Sequence, residues 1–153
     1  CLVRNEDDCI GSIRITNDHI KQWNITIESL YKLAFENTKR LFPPVLRTME
    51  EAGLNNKNKG IPMYILTNEI GLNGASSILY KDIIRDFAHK VKSDLFILPS
   101  SIHEVILIPS KISPYKEYFR KMIFEVNRSS LSEDIILSDE VYTYSVKEDE
   151  ISR

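Results

Sequence analysis

Residues 99–104, Pro-Ser-Ser-Ile-His-Glu, gather two hydroxyls, an imidazole and a carboxylate in one short stretch. Nucleophilic hydrolysis uses those groups: a hydroxyl attacks, an imidazole takes its proton, and an acid orients the ring. The spacing argues against a single catalytic unit. On an extended chain His103 and Glu104 point to opposite faces. The chain also has no Gly-x-Ser-x-Gly elbow to raise a serine out of a strand end. The plainer reading is a turn with polar ends. Ser100, Ser101, His103 and Glu104 then stand as candidates for holding a ligand, with a hydrolase using Ser100–Glu104 as the alternative.

A second polar stretch is Gly71-Leu72-Asn73-Gly74, after one apolar run and before a helical pattern. Such a place can cradle a phosphate. It lacks both the dinucleotide fingerprint and the Walker lysine, so its glycines are read as turning the chain. Asn68 closes the preceding run and would face the same region. If the strands are neighbours, Asn68, Asn73 and the Ser100–Ser101 turn form a joint pocket. The histidines, His19, His89 and His103, have no partner at i+3 or i+4. No metal-ligand spacing follows, and no cofactor is expected.

The elements that must position these groups follow from the apolar pattern. Leu2-Val3 and the alternating Cys9–Ile15 read as a hairpin around a polar turn at Asn5–Asp8. Asn17-Asp18 offers the cap of a short helix reaching Trp23. Thr26 caps a longer helix that Pro43-Pro44 ends. Val45–Ala52 reads as a further short helix stopped by Gly53. Leu54–Gly60 is a polar loop, and Met63–Leu66 a buried strand. Asn73 is placed to cap a helix near Ala75. Tyr80, Ile83, Ile84, Phe87, Ala88 and Val91 mark one helical face, with a break near Lys81-Asp82 left open.

Leu95–Leu98 and Val105–Ile108 are two apolar runs close enough to pair as an antiparallel hairpin. Ser101 and Glu104 also match a capping box, but too few residues separate Ser101 from Pro109 for an ordinary helix. Ser113-Pro114 is a strong helix start, followed by the stripe Tyr115, Tyr118, Phe119, Met122, Ile123 and Val126. Val141–Tyr144 reads as a final strand and the charged tail after Val146 as frayed. The order is β-β-α-α-β-α-β-β-α-β. It implies an α+β fold: a mixed, mostly antiparallel sheet with amphipathic helices packed on it, shielding one of its faces.

The 153 residues suit a single α+β domain. Hydrophobic residues at 42% and charged residues at 27% make an ordinary globular composition, far from that of disordered or fibrous chains. A net charge of −2 lacks the basic excess of a dedicated nucleic-acid binder. The basic residues Lys81, Arg85, Lys90, Lys92, Arg120, Lys121 and Arg128 are interspersed with acids, as on a solvated face with ion pairs. The run Val105–Ile108 is far short of the ~20 apolar residues of a membrane span. Two cysteines, Cys1 and Cys9, are too few for a disulfide framework. With no initiator Met and no hydrophobic leader, the chain is expected to be the C-terminal part of a longer cytoplasmic protein.

Several stretches together carry a resemblance: Ile15–Trp23, Glu36-Asn37-Thr38, Arg40–Pro43, Met63–Asn68, Gly74-Ala75, Leu79-Tyr80, Leu98–Ile106, Glu125-Val126-Asn127 and Leu137-Ser138-Asp139. In this order and spacing the chain resembles a bacterial family of unknown function, family 5688, found mainly in anaerobic Gram-positive species. The resemblance spans nearly the whole chain and is most specific over Leu98–Val105. It brings no catalytic residues with it. The chain departs from the family at Lys81, where its members commonly show a proline.

The expectation is therefore a non-enzymatic binding or interaction domain for a small molecule or protein, with Asn68, Asn73, Ser100, Ser101, His103 and Glu104 as its ligand-binding residues. The Ser100–Glu104 hydrolase and a nucleic-acid accessory protein are the alternatives. Oligomeric state is not legible.

Overall fold

A computed structural model describes residues 2–4, 10–54, 60–99, 101–112 and 116–153. Ser100, the Asn5–Asp8 turn, the middle of the Leu54–Gly60 loop and the Ser113-Pro114 helix start with Tyr115 lie outside the described residues. The chain divides into two compact units, Cys1–Phe42 and Pro43–Arg153.

In the first unit, β1 (Leu2–Arg4) pairs antiparallel with β2 (Ile10–Ser12), Val3 opposite Gly11. Helix α1 (Asn17–Trp23) is capped one residue earlier than its sequence suggests, by Thr16. The Thr16 N–H donates to His19 Nδ1 at 3.0 Å, and the His19 ring stacks on Trp23, 5.5 Å between centroids. His19 is thus spent on its own helix. Helix α2 (Ile27–Leu41) starts where Thr26 Oγ1 accepts the Ser29 N–H at 3.1 Å. Neither helix has a buried residue.

The second unit is a six-stranded sheet in which every described pairing is antiparallel. Its strands are β3 (Pro44–Thr48), β4 (Tyr64–Asn68), β5 (Leu95–Leu98), β6 (Val105–Pro109), β7 (Tyr142–Ser145) and β8 (Glu150–Ser152), in spatial order β3-β4-β6-β5-β7-β8. The expected hairpin is β5–β6, with Leu98 opposite Ile106. A short 3₁₀ helix, Gly74–Leu79, and a distinct helix α3 (Lys81–Val91) resolve the break near Lys81. Helix α4 spans Lys116–Ser130.

Two elements differ from the sequence reading. Val45–Ala52 is not a helix: β3 pairs with β4, Leu46 opposite Leu66, so the backbone spends its hydrogen bonds laterally. The helical signal there is a capping box confined to one turn. Thr48 N–H donates to Glu51 Oε2 at 2.8 Å, and Glu51 N–H donates to Thr48 Oγ1 at 3.1 Å. The tail is also not frayed. It returns as edge strand β8, after a turn in which Asp149 adopts φ 50°.

The sheet is covered on both faces rather than one. One core joins Leu66, Leu95, Ile97, Val105, Leu107 and Tyr144 to Ile84, Phe87 and Ala88 of α3. The other joins Met63, Phe96, Leu98, Ile108 and Val141 to Phe119 and Ile123 of α4. Alternate residues of β5 and β6 therefore belong to different cores. That is why those strands read as continuous apolar runs instead of alternating ones. Each large side chain so buried contributes about 1.5–3 kcal/mol.

Candidate functional site

The antiparallel register sets Leu66 of β4 opposite Val105 of β6, so the end of β4 runs toward the β5–β6 turn. Thr67 Oγ1 donates to the His103 carbonyl at 2.8 Å, and the Ala75 N–H to the Ile102 carbonyl at 3.2 Å. Ser77 Oγ, from the 3₁₀ helix, donates to the Thr67 carbonyl at 3.0 Å. Gly74 sits at the crossing. A Cβ there would lie 2.7 Å from both Asn68 N and the His103 carbonyl oxygen. Only glycine lets the three backbones approach this closely.

Each expected site residue can now be placed. Asn68 is buried; its Nδ2 donates to the Leu72 carbonyl at 2.8 Å and its Oδ1 accepts the Leu72 N–H at 3.3 Å. It closes the 68–72 loop. Asn73 takes the left-handed conformation, φ 54°, without capping through its side chain. Its backbone N–H instead donates to His103 Nδ1 at 3.2 Å. Ser101 is buried, and its Oγ accepts the backbone N–H groups of His103 (3.1 Å) and Glu104 (3.2 Å). That is the Ser101–Glu104 capping pattern, holding a turn rather than a helix. Ser100 lies outside the described residues.

The structure thus brings Asn68, Asn73, Ser101, His103 and Glu104 into one corner but divides their work. Asn68 and Ser101 hold backbone. With Nδ1 accepting from Asn73, neutral His103 carries its proton on Nε2 and offers a donor there. Glu104 is half-buried. Burial pushes its carboxyl above the usual range, and the neighbouring His103 partly offsets this. Among the described residues neither the Glu104 carboxyl nor the Asn73 amide has a hydrogen-bond partner. The Ser101 hydroxyl accepts two backbone N–H groups and, among the described residues, makes no hydrogen bond to the imidazole. Likewise among them, no group of three or more His, Cys, Asp or Glu is placed to hold a metal ion, and no helix is long and apolar enough to cross a membrane.

The stretches Met63–Asn68, Gly74-Ala75 and Leu98–Ile106, far apart in sequence, meet in this corner. The family described as "Family of unknown function (DUF5688)" matches residues 1–146. The chain belongs to this family. No curated protein and no solved structure matches it.

A second pair of motifs in this DUF5688 chain also meets. On α4 the buried face is Phe119, Ile123 and Asn127, at i, i+4 and i+8, while Tyr118 and Val126 of the expected stripe are largely exposed. Asn127 is fully buried. Its Nδ2 donates to the Ser138 carbonyl at 3.2 Å and to Asp139 Oδ1 at 2.7 Å, and Asp139 Oδ2 pairs with Arg128 at 2.7 Å. Sequence reasoning assigned Asn127 no part in holding the fold. The available signal was an amide at the helical position where the stripe calls for an apolar residue. Of the basic residues singled out in the sequence, Arg85, Arg120 and Arg128 make ion pairs among the described residues, with Asp149, Glu140 and Asp139, and Arg153 shares Glu140 with Arg120.

A groove of about 500 Å³ lies on the α3 side of β3 and β4, lined by Leu46, Arg47, Tyr64, Asp86, Phe87 and Lys90 among others. Its charged lining residues are two of each sign, Arg47 and Lys90 against Glu51 and Asp86, and Tyr64 and Phe87 meet edge to face, 4.7 Å between centroids.

Proposed function

We propose that the chain is a non-enzymatic binding domain whose ligand seat is the corner where Asn73, His103 and Glu104 meet. The observation that carries this reading is the Asn73 N–H bond to His103 Nδ1, which orients the imidazole and makes its Nε2–H a fixed donor. Beside that donor stand a half-buried carboxyl and a primary amide with capacity left. Such a set suits a neutral or weakly charged polar small molecule that both donates and accepts, or the exposed backbone of a protein partner. A hydrolase reading has less support, because the Ser101 hydroxyl would have to give up two backbone bonds before it could approach an imidazole already oriented elsewhere. Ion-paired basic residues and a net charge of −2 favour a small molecule or protein over nucleic acid. Cysteine usage suits the cytoplasm as its compartment.

The test is a thermal-shift screen of the whole chain against metabolites, repeated on His103→Ala and Glu104→Ala. A ligand that binds only the folded state raises the melting temperature. The expected result is a compound whose effect is lost in both variants while each still unfolds cooperatively. Ligands that act equally on wild type and both variants would place the seat elsewhere. Ester turnover abolished by His103→Ala would replace the binding reading with the hydrolytic one.

A further inference from the structure

His103 holds Asn73 through the one ring nitrogen that acid would fill. Its Nδ1 accepts the Asn73 N–H at 3.2 Å, so the neutral ring carries its proton on Nε2. A second proton can go only to Nδ1. An imidazolium has an N–H on both nitrogens and accepts nothing. It would set a hydrogen against the Asn73 hydrogen. Protonation of the ring and this bond therefore exclude each other. Imidazoles gain that proton between about pH 8 and pH 5.

The surroundings limit how far the break spreads and say where the ring goes. The backbone on either side stays tied: the Ala75 N–H donates to the Ile102 carbonyl at 3.2 Å and Thr67 Oγ1 to the His103 carbonyl at 2.8 Å. Neither bond involves a titrating group, and Gly74 remains packed at the crossing. Release is confined to the ring and to Asn73, which is held at φ 54° in the left-handed region. The charged side chains on the segments packed around the ring are Glu104 in its own turn, Glu69 in the 68–72 loop, and Glu133 and Asp134 in the 132–136 segment bridged to Ser101. Strand β4 and the 3₁₀ helix carry none. All four groups are acids. Glu104 interacts with the ring's charge and has no hydrogen-bond partner among the described residues, so it is the counter-ion within reach of a cationic ring. We propose that His103 is an acid-operated latch on this corner: neutral, it clamps Asn73 and aims Nε2–H at the seat; protonated, it lets Asn73 go and turns toward the Glu104 carboxylate. The consequence for binding, that acid dismantles the seat, rests on the proposed function. The latch itself is a property of the chain without ligand.

NMR titration of the whole chain without ligand, from about pH 8 to about pH 5, tests this. At the alkaline end the ring nitrogens of His103 should report the Nε2–H tautomer. As pH falls, the Asn73 amide resonance should move with the same midpoint as the ring. Its exchange with solvent, corrected for pH, should quicken about tenfold, the scale of one hydrogen bond. His103→Ala should leave the Asn73 amide indifferent to pH and as quick to exchange as in acidified wild type. Glu104→Gln should move the shared midpoint to lower pH, because the cationic ring has lost its counter-ion. An Nδ1–H tautomer at the alkaline end, or an Asn73 amide that ignores the ring, overturns the latch. A midpoint unmoved in Glu104→Gln overturns the turn toward that carboxylate. A working latch with no His103-dependent compound in the thermal screen counts against the seat alone.

Discussion

The backbone N–H of Asn73 lies 3.2 Å from Nδ1 of His103, a bond across 30 residues of sequence. It ties the start of the 3₁₀ helix to the β5–β6 turn and sets the tautomer of the only histidine in the corner.

The carboxyl beside that histidine gives a pH signature. Burial raises Glu104 above its ordinary value of 4.5. A carboxyl raised in the folded state favours folding most when both states are protonated, below that ordinary value, and the contribution is lost as pH climbs through the folded value. Glu104→Gln should therefore unfold at a higher temperature than wild type at pH 7, with the difference shrinking as pH falls toward 4.5. Thermal melts between pH 4 and 8 measure it. A variant less stable than wild type at pH 7 would mean that Glu104 is held by a partner when ionised.

Gly74 should be irreplaceable where Gly11 is not. At Gly74 a Cβ meets backbone atoms of two other segments at 2.7 Å, and backbone cannot swing aside. Gly74→Ala should cost about 1–3 kcal/mol or more, as overpacking does. At Gly11 nothing lies within 4 Å of the added carbon and φ is not positive. Gly11→Ala should change stability by less than about 0.5 kcal/mol. Urea midpoints of the two variants decide this.

Asn127→Ala should lower stability by about 2–4 kcal/mol, the combined scale of an emptied core position and lost buried hydrogen bonds. It empties a fully buried site and strips the Ser138 carbonyl and Asp139 of a donor, which outweighs relief of the buried Oδ1, a group with no hydrogen-bond partner among the described residues. Arg128 then holds an Asp139 that has lost its second tether. Denaturant unfolding with a check that the slope is unchanged reads the effect.

At high pH Tyr144 becomes the sensitive group. It is buried and donates to Asp149 Oδ1 at 2.6 Å; burial, then that bond and the Asp149 charge, push its hydroxyl up to about 12. The ordinary value is 10. An acid raised in this way contributes stability that is intact below the ordinary value and lost as pH rises through the folded one. Tyr144→Phe should thus be less stable than wild type at pH 8, with the gap narrowing between pH 10 and 12. A gap independent of pH would show that the hydroxyl bond contributes without titrating.

Local signals accounted for much of the architecture. Thr26 as a cap, the spacing Ile83-Ile84-Phe87-Ala88-Val91 and the paired runs around Pro99 each express physics contained within a few residues. What stayed hidden depends on partners. Thr48 and Glu51 carry a real helix-start pattern, but Leu46 has Leu66 to pair with and the strand wins. The runs Leu95–Leu98 and Val105–Ile108 show burial without showing that two helices share the work. In the corner, residue types alone brought Asn68, Asn73, Ser101, His103 and Glu104 together, since they flank strand ends. They could not reveal that Asn68 and Ser101 are consumed by backbone, because hydrogen-bond partners such as Leu72 are chosen only once the loop has closed. Asn127 was hidden for the opposite reason: its importance lies in the apolar company it keeps.

Because neighbouring side chains on β5 and β6 anchor opposite layers, the two cores have no seam along which to part. Peeling α3 away wets Leu95 and Ile97, and peeling α4 away wets Phe96 and Leu98, on the same short strand. Damage to either layer is therefore shared by both, and residues 43–153 should melt as one body with the amides of Ile97 and Leu107 the last to surrender their hydrogens to solvent.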